Sequence, residues 1–247
     1  MKKTANNIIV LQEVDSTNNY ANQLILTDSA EHGAVVLAHY QKKGKGQAGN
    51  YWESEANKNL LASMILFPEF IPADKQFYLS KITSLAIAGV LEEYTGSISV
   101  KWPNDIYFEN KKIAGILIEN SVKGDVLNTS ILGMGVNVNQ EKFTSGAPNP
   151  VSLKQITGKE TDIQQLARQL ITRIHHWYRM LSAGELNAID EMYRRKLFRN
   201  NKWALYKKNN EEFEARIKGI GDLGQLFLED RQGNTSAYFF KEIEFVL

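Results

Sequence analysis

The sequence contains no cysteine, which removes disulfides and thiolate chemistry and leaves a reducing cytoplasm as the default compartment. It has no apolar run near the roughly 18 residues that a spanning helix requires. Its opening residues carry neither an apolar signal core nor a small-residue cleavage site, so neither a leader nor a membrane partner is expected. Excess charge is missing too. The 29 Lys and Arg face 28 Asp and Glu, a net charge of +1, whereas a dedicated nucleic-acid binder carries a basic surplus. No internal repeat or low-complexity tract is visible. What remains is a globular composition, 43% hydrophobic and 23% charged over 247 residues, enough for one large domain or a medium domain with a small appendix.

Strands are predicted at 8–14, 34–40, 60–67, 98–102, 112–119 and 128–138 from β-branched content or alternation. Helices are predicted at 16–26, after an Asp-Ser-Thr start, and at 73–94 along a loose apolar stripe. "TSGAPNPVSL" is turn chemistry and predicts a long surface connection. The clearest helix follows. Thr161 and Gln164 have capping-box spacing, and Ile163, Leu166, Ala167, Leu170, Ile171, Ile174, Trp177, Tyr178 and Leu181 repeat at helical spacing. His175 and His176 lie on it and read as structural. A further helix at 186–197 precedes a change of texture. From Trp203 onward short strands alternate with the turns "KKNNEE", "GDLG" and "DRQGN", which suits a small β-barrel of about five strands. A boundary near 196 divides a domain of 1–196 from one of 197–247.

"HYQKKGKGQAGNYWES" contains Gly44-x-Gly46-x-x-Gly49, the spacing of a dinucleotide-binding turn. That turn needs the third glycine in the first turn of a helix and an acidic residue about 20 positions on. Here "NYWES" follows, a poor first helical turn, and Glu69 lies beside prolines, so the context excludes a Rossmann site. The stretch still offers anion chemistry: three glycines bring backbone N–H groups close to a ligand, and Lys42, Lys43 and Lys45 add charge. Taken alone, it equally describes a solvated loop. Three other stretches set polar groups beside strands. "EVDSTNNY" reads alone as a helix cap, "VKWPNDIY" as a proline turn, and "NKKIAGILIE" as a strand whose interior Gly115 admits a close approach. "GMGVNVN" repeats that last feature with Gly133.

In this order the stretches closely resemble biotin protein ligases. The residues that carry the resemblance are Asp15-Ser16-Thr17-Asn18, the loop from Gln41 to Gly49 with Trp52 after it, and Lys101-Trp102-Pro103-Asn104-Asp105. Lys112-Ile113-Ala114-Gly115-Ile116-Leu117-Ile118-Glu119 and Gly133-Met134-Gly135-Val136-Asn137 complete the set. The motifs cover about residues 8–140, and the tail matches the family only in texture. The resemblance implies an α/β (α+β) fold: a catalytic domain like class II aminoacyl-tRNA synthetases on a mostly antiparallel sheet, with a small C-terminal SH3-like barrel. It implies activation of biotin with ATP to biotinyl-5′-AMP, then transfer to one lysine of a biotin carboxyl carrier protein or domain.

By the same resemblance Lys112 is the cation where carboxylate meets phosphate, and Asp105 is the acidic residue near Mg²⁺ and the phosphates. Asp105 is also the only guess at a base for the transfer step, since no dedicated base is evident. Ser16, Thr17, Asn18, Gln41, Gly44, Lys45, Gly46, Gln47, Lys112, Gly115 and Gly133 are implied biotin contacts. Lys45, Gln47, Asn50, Trp52, Asn104 and Asn137 are implied on the ATP side, with Trp52 stacking. Without a tight His or carboxylate cluster, metal is expected only as Mg²⁺ carried with ATP, and no prosthetic group is expected. A homodimer stays open.

The family loop typically carries arginines where this chain has Lys45 and Ala48, with Gln47 at the variable position between them. Lysine cannot copy arginine's two-pronged grip on an anion. Members that also repress transcription carry about 60 residues of winged helix-turn-helix before the Asp-Ser-Thr-Asn segment. Asp15 leaves room for one strand, so operator binding is not expected. The competing readings are a lipoate–protein ligase of the same superfamily and a non-enzymatic scaffold whose "FRNNKWALYKK" segment serves an SH3- or OB-like interaction module.

Overall fold

The computed structural model describes residues 7–146 and 149–246. Just over half of the chain, up to Asn137, builds a seven-stranded sheet in the order β1-β2-β3-β7-β6-β5-β4. The strands are β1 (Ile8–Leu11), β2 (Val35–Ala38), β3 (Asn59–Leu66), β4 (Ser99–Lys101), β5 (Asp105–Phe108), β6 (Lys111–Lys123) and β7 (Val126–Asn137). Only β1 and β2 pair in parallel; every other neighbour is antiparallel. The sheet is therefore mixed and mostly antiparallel. The predicted strands are all present with shifted ends. The short β5 inside "NDIYF" was not predicted, because the proline turn before it masks a four-residue strand.

β3 reads "NLLASMIL" and is buried along its whole length, as a strand covered on both faces must be. Leu60, Ala62, Met64 and Leu66 face the main core beneath α2 (Phe77–Thr95), α4 (Ile163–Ser182) and α5 (Leu186–Lys196). Ile65 faces the other way, into a smaller core with Val36, Ile131 and Ala21 of α1 (Thr17–Leu26). α1 thus covers only part of its face and leaves the rest for a pocket.

The cap of α4 differs from expectation. Asp162, not Thr161, accepts from the Gln164 and Gln165 amides at 2.8 and 3.1 Å, while Thr161 pairs through its backbone with the Asn139 side chain. The capping box sits earlier, at Ser152 and Gln155, and opens the short α3 (Leu153–Thr157). The expected surface connection also turns inward at its end. Asn149 and Val151 exchange backbone hydrogen bonds with Lys112, and Val151, Ser152 and Leu153 are buried. Residues 147–148 of that stretch lie outside the described residues.

The tail forms a second, five-stranded antiparallel sheet ordered β11-β10-β9-β8-β12. Its strands are β8 (Trp203–Lys208), β9 (Glu211–Ile220), β10 (Leu226–Glu229), β11 (Thr235–Tyr238) and β12 (Glu244–Phe245). Asn209 and Asn210, both at positive φ, close the β8–β9 hairpin as a two-residue primed turn requires. Tyr206, Ala215, Ile217, Leu226 and Leu228 belong to the same apolar cluster as the helices under the first sheet. One core therefore runs beneath both sheets.

Candidate active site

On the α1 face of the first sheet, cross-strand pairing stacks small residues in rows. Gly133 lies between Ser63 and Leu117, and Gly135 lies between Leu61 and Gly115, with Asp105 beyond Gly115. Three glycines in two rows open a trough. A Cβ on Gly135 would lie 2.4 Å from the Trp52 ring, and one on Gly115 would lie 2.9 Å from it. The indole therefore rests on the strip these glycines clear. A Cβ on Gly133 would come within 2.3 Å of Asn18 Oδ1, so that glycine makes room for the polar end of the trough.

A β-bulge sets the charged end. β5 and β6 pair as Asp105 with Gly115 and Ile106 with Ala114, but Tyr107 then meets Lys112 and skips Ile113. Strict alternation from Gly115 would turn Lys112 toward the helices. The extra residue restores it to the trough face, while Ile113 and Ala114 are both fully buried. Lys112 Nζ then lies 2.6 Å from Asp105 Oδ1 and 5.6 Å from the centroid of the Trp52 ring. Asn104 is stitched to β6: its amide donates to the Ile116 carbonyl at 2.8 Å, and its own carbonyl accepts from Ile116 at 3.0 Å.

The opposite end is a buried hydrogen-bond network. Gln41 Oε1 accepts from the Thr17 backbone N–H at 2.7 Å and from its hydroxyl at 3.0 Å. Ser63 Oγ bonds Thr17 Oγ1 and Asn18 Oδ1 at 2.7 and 2.6 Å. Asn18 Nδ2 donates to Glu119 at 2.6 Å, and Lys45 pairs with the same carboxylate at 3.8 Å. Ser16, Thr17, Asn18 and Gln41 are all buried, so this end is fixed in advance.

The cavity between the two ends is lined by nearly every residue that the sequence singled out. Ser16, Thr17, Asn18, Gln41, Lys45, Gly46, Gln47, Asn50, Trp52, Asn104, Asp105, Lys112, Gly115 and Gly133 all reach it. Gly44 and Asn137 do not. Gly44 accepts from the Trp52 N–H at 2.9 Å, and a Cβ there would sit 2.4 Å from the Trp52 carbonyl, so it closes the loop back on itself. Asn137 donates to the Val151 carbonyl at 3.1 Å and fastens that segment beside Lys112. The loop itself makes one 3-10 turn at Gln47–Gly49.

Six lining residues were not assigned a role from the sequence: Tyr51, Ile116, Leu117, Met134, Gly135 and Phe240. Ser63, beneath the polar end, was also passed over. A hydroxyl inside an otherwise apolar strand was its only signal. Two polar atoms of the lining, Gln47 Oε1 and Trp52 Nε1, are buried without a partner. Such atoms cost free energy unless a ligand meets them. Nearby, burial pushes the Glu53 carboxyl up, but hydrogen bonds from Ser145 and Thr144 outweigh it and hold the group below the usual range. Glu53 accepts from the Thr144 N–H, the Thr144 hydroxyl and the Ser145 N–H at 2.9, 3.0 and 2.7 Å, tying residues 144–145 to the segment that follows Trp52. Among the described residues, no group of three or more His, Asp or Glu side chains forms a metal cage.

The chain that builds this trough is similar to known proteins. Residues 10–137 match the model of the Biotin/lipoate A/B protein ligase family. The chain is 29% identical over 231 residues to the biotin--[acetyl-CoA-carboxylase] ligase of Paracoccus denitrificans, covering 91% of this chain and 95% of that protein. It is 28% identical over 231 residues to the bifunctional ligase/repressor BirA of Bacillus subtilis, covering 91% and 70% respectively. Among solved structures, the biotin protein ligase of Aquifex aeolicus in complex with biotin and ATP superposes with a TM-score of 0.80 at 25% identity, covering 97% of this chain and 98% of that one.

Proposed function

The chain belongs to the biotin/lipoate A/B protein ligase family, and from that premise we propose that it activates biotin with ATP to biotinyl-5′-AMP and transfers the biotinyl group to a lysine of a biotin carboxyl carrier protein or domain. The observation that carries this reading is the trough itself, with a prebuilt polar socket at one end and the Lys112–Asp105 pair at the other, 2.6 Å apart.

The first step brings a carboxylate against an α-phosphate. Two like charges at ~4 Å repel by about 4 kcal/mol at an effective dielectric near 20, so a fixed cation at the junction is required, above all in the transition state. Lys112 supplies it. Asp105 orients that ammonium, and as the carboxylate of the lining it is also the group that would touch Mg²⁺ arriving with ATP, since Mg²⁺ takes one or two carboxylates plus phosphates. The Gly44–Gly49 loop folds toward the bound acid and nucleotide, with Lys45 and Gln47 facing the adenylate. Trp52 offers its face to adenine, and Asn50 and Asn104 serve the nucleotide side. In the second step the acceptor amine, as the free base, attacks the acyl carbon of the mixed anhydride. The amide forms, the carbon–oxygen bond to phosphate breaks, AMP leaves, and Asp105 takes the proton shed by the nitrogen. A covered trough keeps water from the mixed anhydride.

The polar socket favours biotin over lipoate. A ureido ring brings two N–H donors and a carbonyl that can join the network of Thr17, Asn18, Gln41 and Ser63, whereas a dithiolane brings it no comparable donor or acceptor. A site built to hydrogen-bond its substrate rejects the analogue lacking those groups strongly. The seven-stranded part, residues 1–196, is the catalytic domain related to class II aminoacyl-tRNA synthetases, and 197–247 is the SH3-like part. The decisive experiment is ATP–pyrophosphate exchange with biotin or lipoate, followed by mass spectrometry of a purified carrier domain. Exchange dependent on biotin and a carrier mass gain of one biotinyl group are expected; exchange with neither acid would end the reading.

A further inference from the structure

The Lys101-Trp102-Pro103-Asn104-Asp105 stretch looks in sequence like a single set of site residues. In the structure it divides. Asn104 and Asp105 line the pocket, but Lys101 and Trp102 do not; Trp102 faces the second sheet, and Lys101, whose cross-strand partner is Asp105, reaches β12 from the same face as that carboxylate. The Trp102 indole N–H, buried with the rest of its side chain, donates to the Gly224 carbonyl at 2.8 Å across 122 residues of sequence. Lys101 Nζ lies 5.1 Å from the centroid of the Phe245 ring on β12 and 5.3 Å from that of Tyr107. We propose that Trp102 and Lys101 are positioning residues through which the second sheet holds Asn104 and Asp105 against Lys112. This rests on the ligase reading above.

The carbonyl that receives the indole is itself fixed. Gly224 sits at φ +87°, and a Cβ there would lie 2.5 Å from the Phe77 ring of α2, so only glycine fits between helix and turn. Two backbone bonds close that turn, Gly221 N–H to the Gln225 carbonyl at 2.8 Å and Gly224 N–H to the Gly221 carbonyl at 2.9 Å. The main chain before Trp102 is held as well, since the Val100 carbonyl accepts from the Phe198 N–H at 2.8 Å.

On the pocket side of Pro103, Asn104 is bonded twice to Ile116 and Asp105 pairs with Lys112. The turn is therefore gripped from both directions, and its pocket half begins two residues after the indole. A shift of about 1 Å in a positioned catalytic group can cost up to two orders of magnitude in rate. A lost N–H contact at Trp102 would pass such a shift to Asp105 without altering any residue that touches substrate.

Trp102→Phe keeps a smaller aromatic ring and removes the donor. The expected result is a kcat for biotin-dependent ATP–pyrophosphate exchange about tenfold lower, while biotin affinity measured by calorimetry without nucleotide stays within about twofold, because the Thr17–Asn18–Gln41 socket does not touch this turn. Phe245→Leu, which withdraws the ring beneath Lys101, should lower the same kcat about threefold and decides the matter if Trp102→Phe does not fold. A mere adhesive contact predicts otherwise: a lower melting temperature with wild-type exchange would overturn the proposal. So would a loss of biotin affinity in step with kcat. If the unaltered protein shows no biotin-dependent exchange, the ligase reading itself has failed, and that outcome is visible in the control.

Discussion

On the proposed reading, Lys112 is the residue on which the chemistry turns. Lys112→Ala should lower adenylate formation about 10²–10³-fold, since it removes a charge-assisted contact made chiefly in the transition state; single-turnover kinetics with labelled ATP, alongside a circular dichroism check of the fold, measures this. Gln47 gives a change of opposite sign. Its Oε1 is buried without a partner at the pocket, and Gln47→Arg places a planar two-pronged cation there. Release of the preformed adenylate, followed by stopped-flow or filter binding, should slow; an unchanged rate would count against the loop's role. At this scale the sequence was informative where chemistry is written in contiguous runs, as in Asp15–Asn18 or Lys112–Glu119. It was silent on Ser63 and Phe240, because one reaches the pocket by strand pairing and the other from a distant turn rather than by any local pattern. It also could not say that Trp102 faces away from Asp105, since adjacency in sequence does not fix which side of a turn a ring occupies.

Elements place these residues, and two devices stand out. The bulge that skips Ile113 is invisible in a strand prediction, because β-branched and small residues look the same in or out of register; yet it alone sends Lys112 to the trough. The other is the Glu53 clasp on residues 144–145. Its carboxyl titrates below the usual range, so the clasp is complete above the unfolded-state pKa and is lost as pH falls through the lower folded-state pKa. Hydrogen exchange at the Thr144 and Ser145 amides should accelerate in that acidic window beyond the intrinsic pH trend, and Glu53→Gln should remove the excess. The helices were largely legible from their apolar stripes. Their caps were less so: Asp162 and Thr161 are adjacent and both competent, and the choice fell to Asp162 because Asn139 had already engaged the Thr161 backbone.

The molecule as a whole is joined through its helical layer. Lys81 of α2 is almost fully buried, and its ammonium lies 2.6 Å from Asp190 of α5 and 4.2 Å from the centroid of the Tyr78 ring. The Tyr78 hydroxyl donates to the same carboxylate at 2.8 Å. Asp190→Ala removes the carboxylate from beside that ammonium and, because the Asp190 side chain is itself partly exposed, should lower stability by about 1 kcal/mol, read from urea unfolding; no loss would mean that the pair contributes nothing. The order of assembly follows from where the Trp102 partner lies. A chain growing on the ribosome has presented every pocket-lining residue except Phe240 once Gly135 has emerged, but the carbonyl that steadies Trp102 belongs to Gly224. On the proposed readings, the vitamin's socket can thus mature early in translation, while full catalytic competence is the last trait the nascent polypeptide acquires.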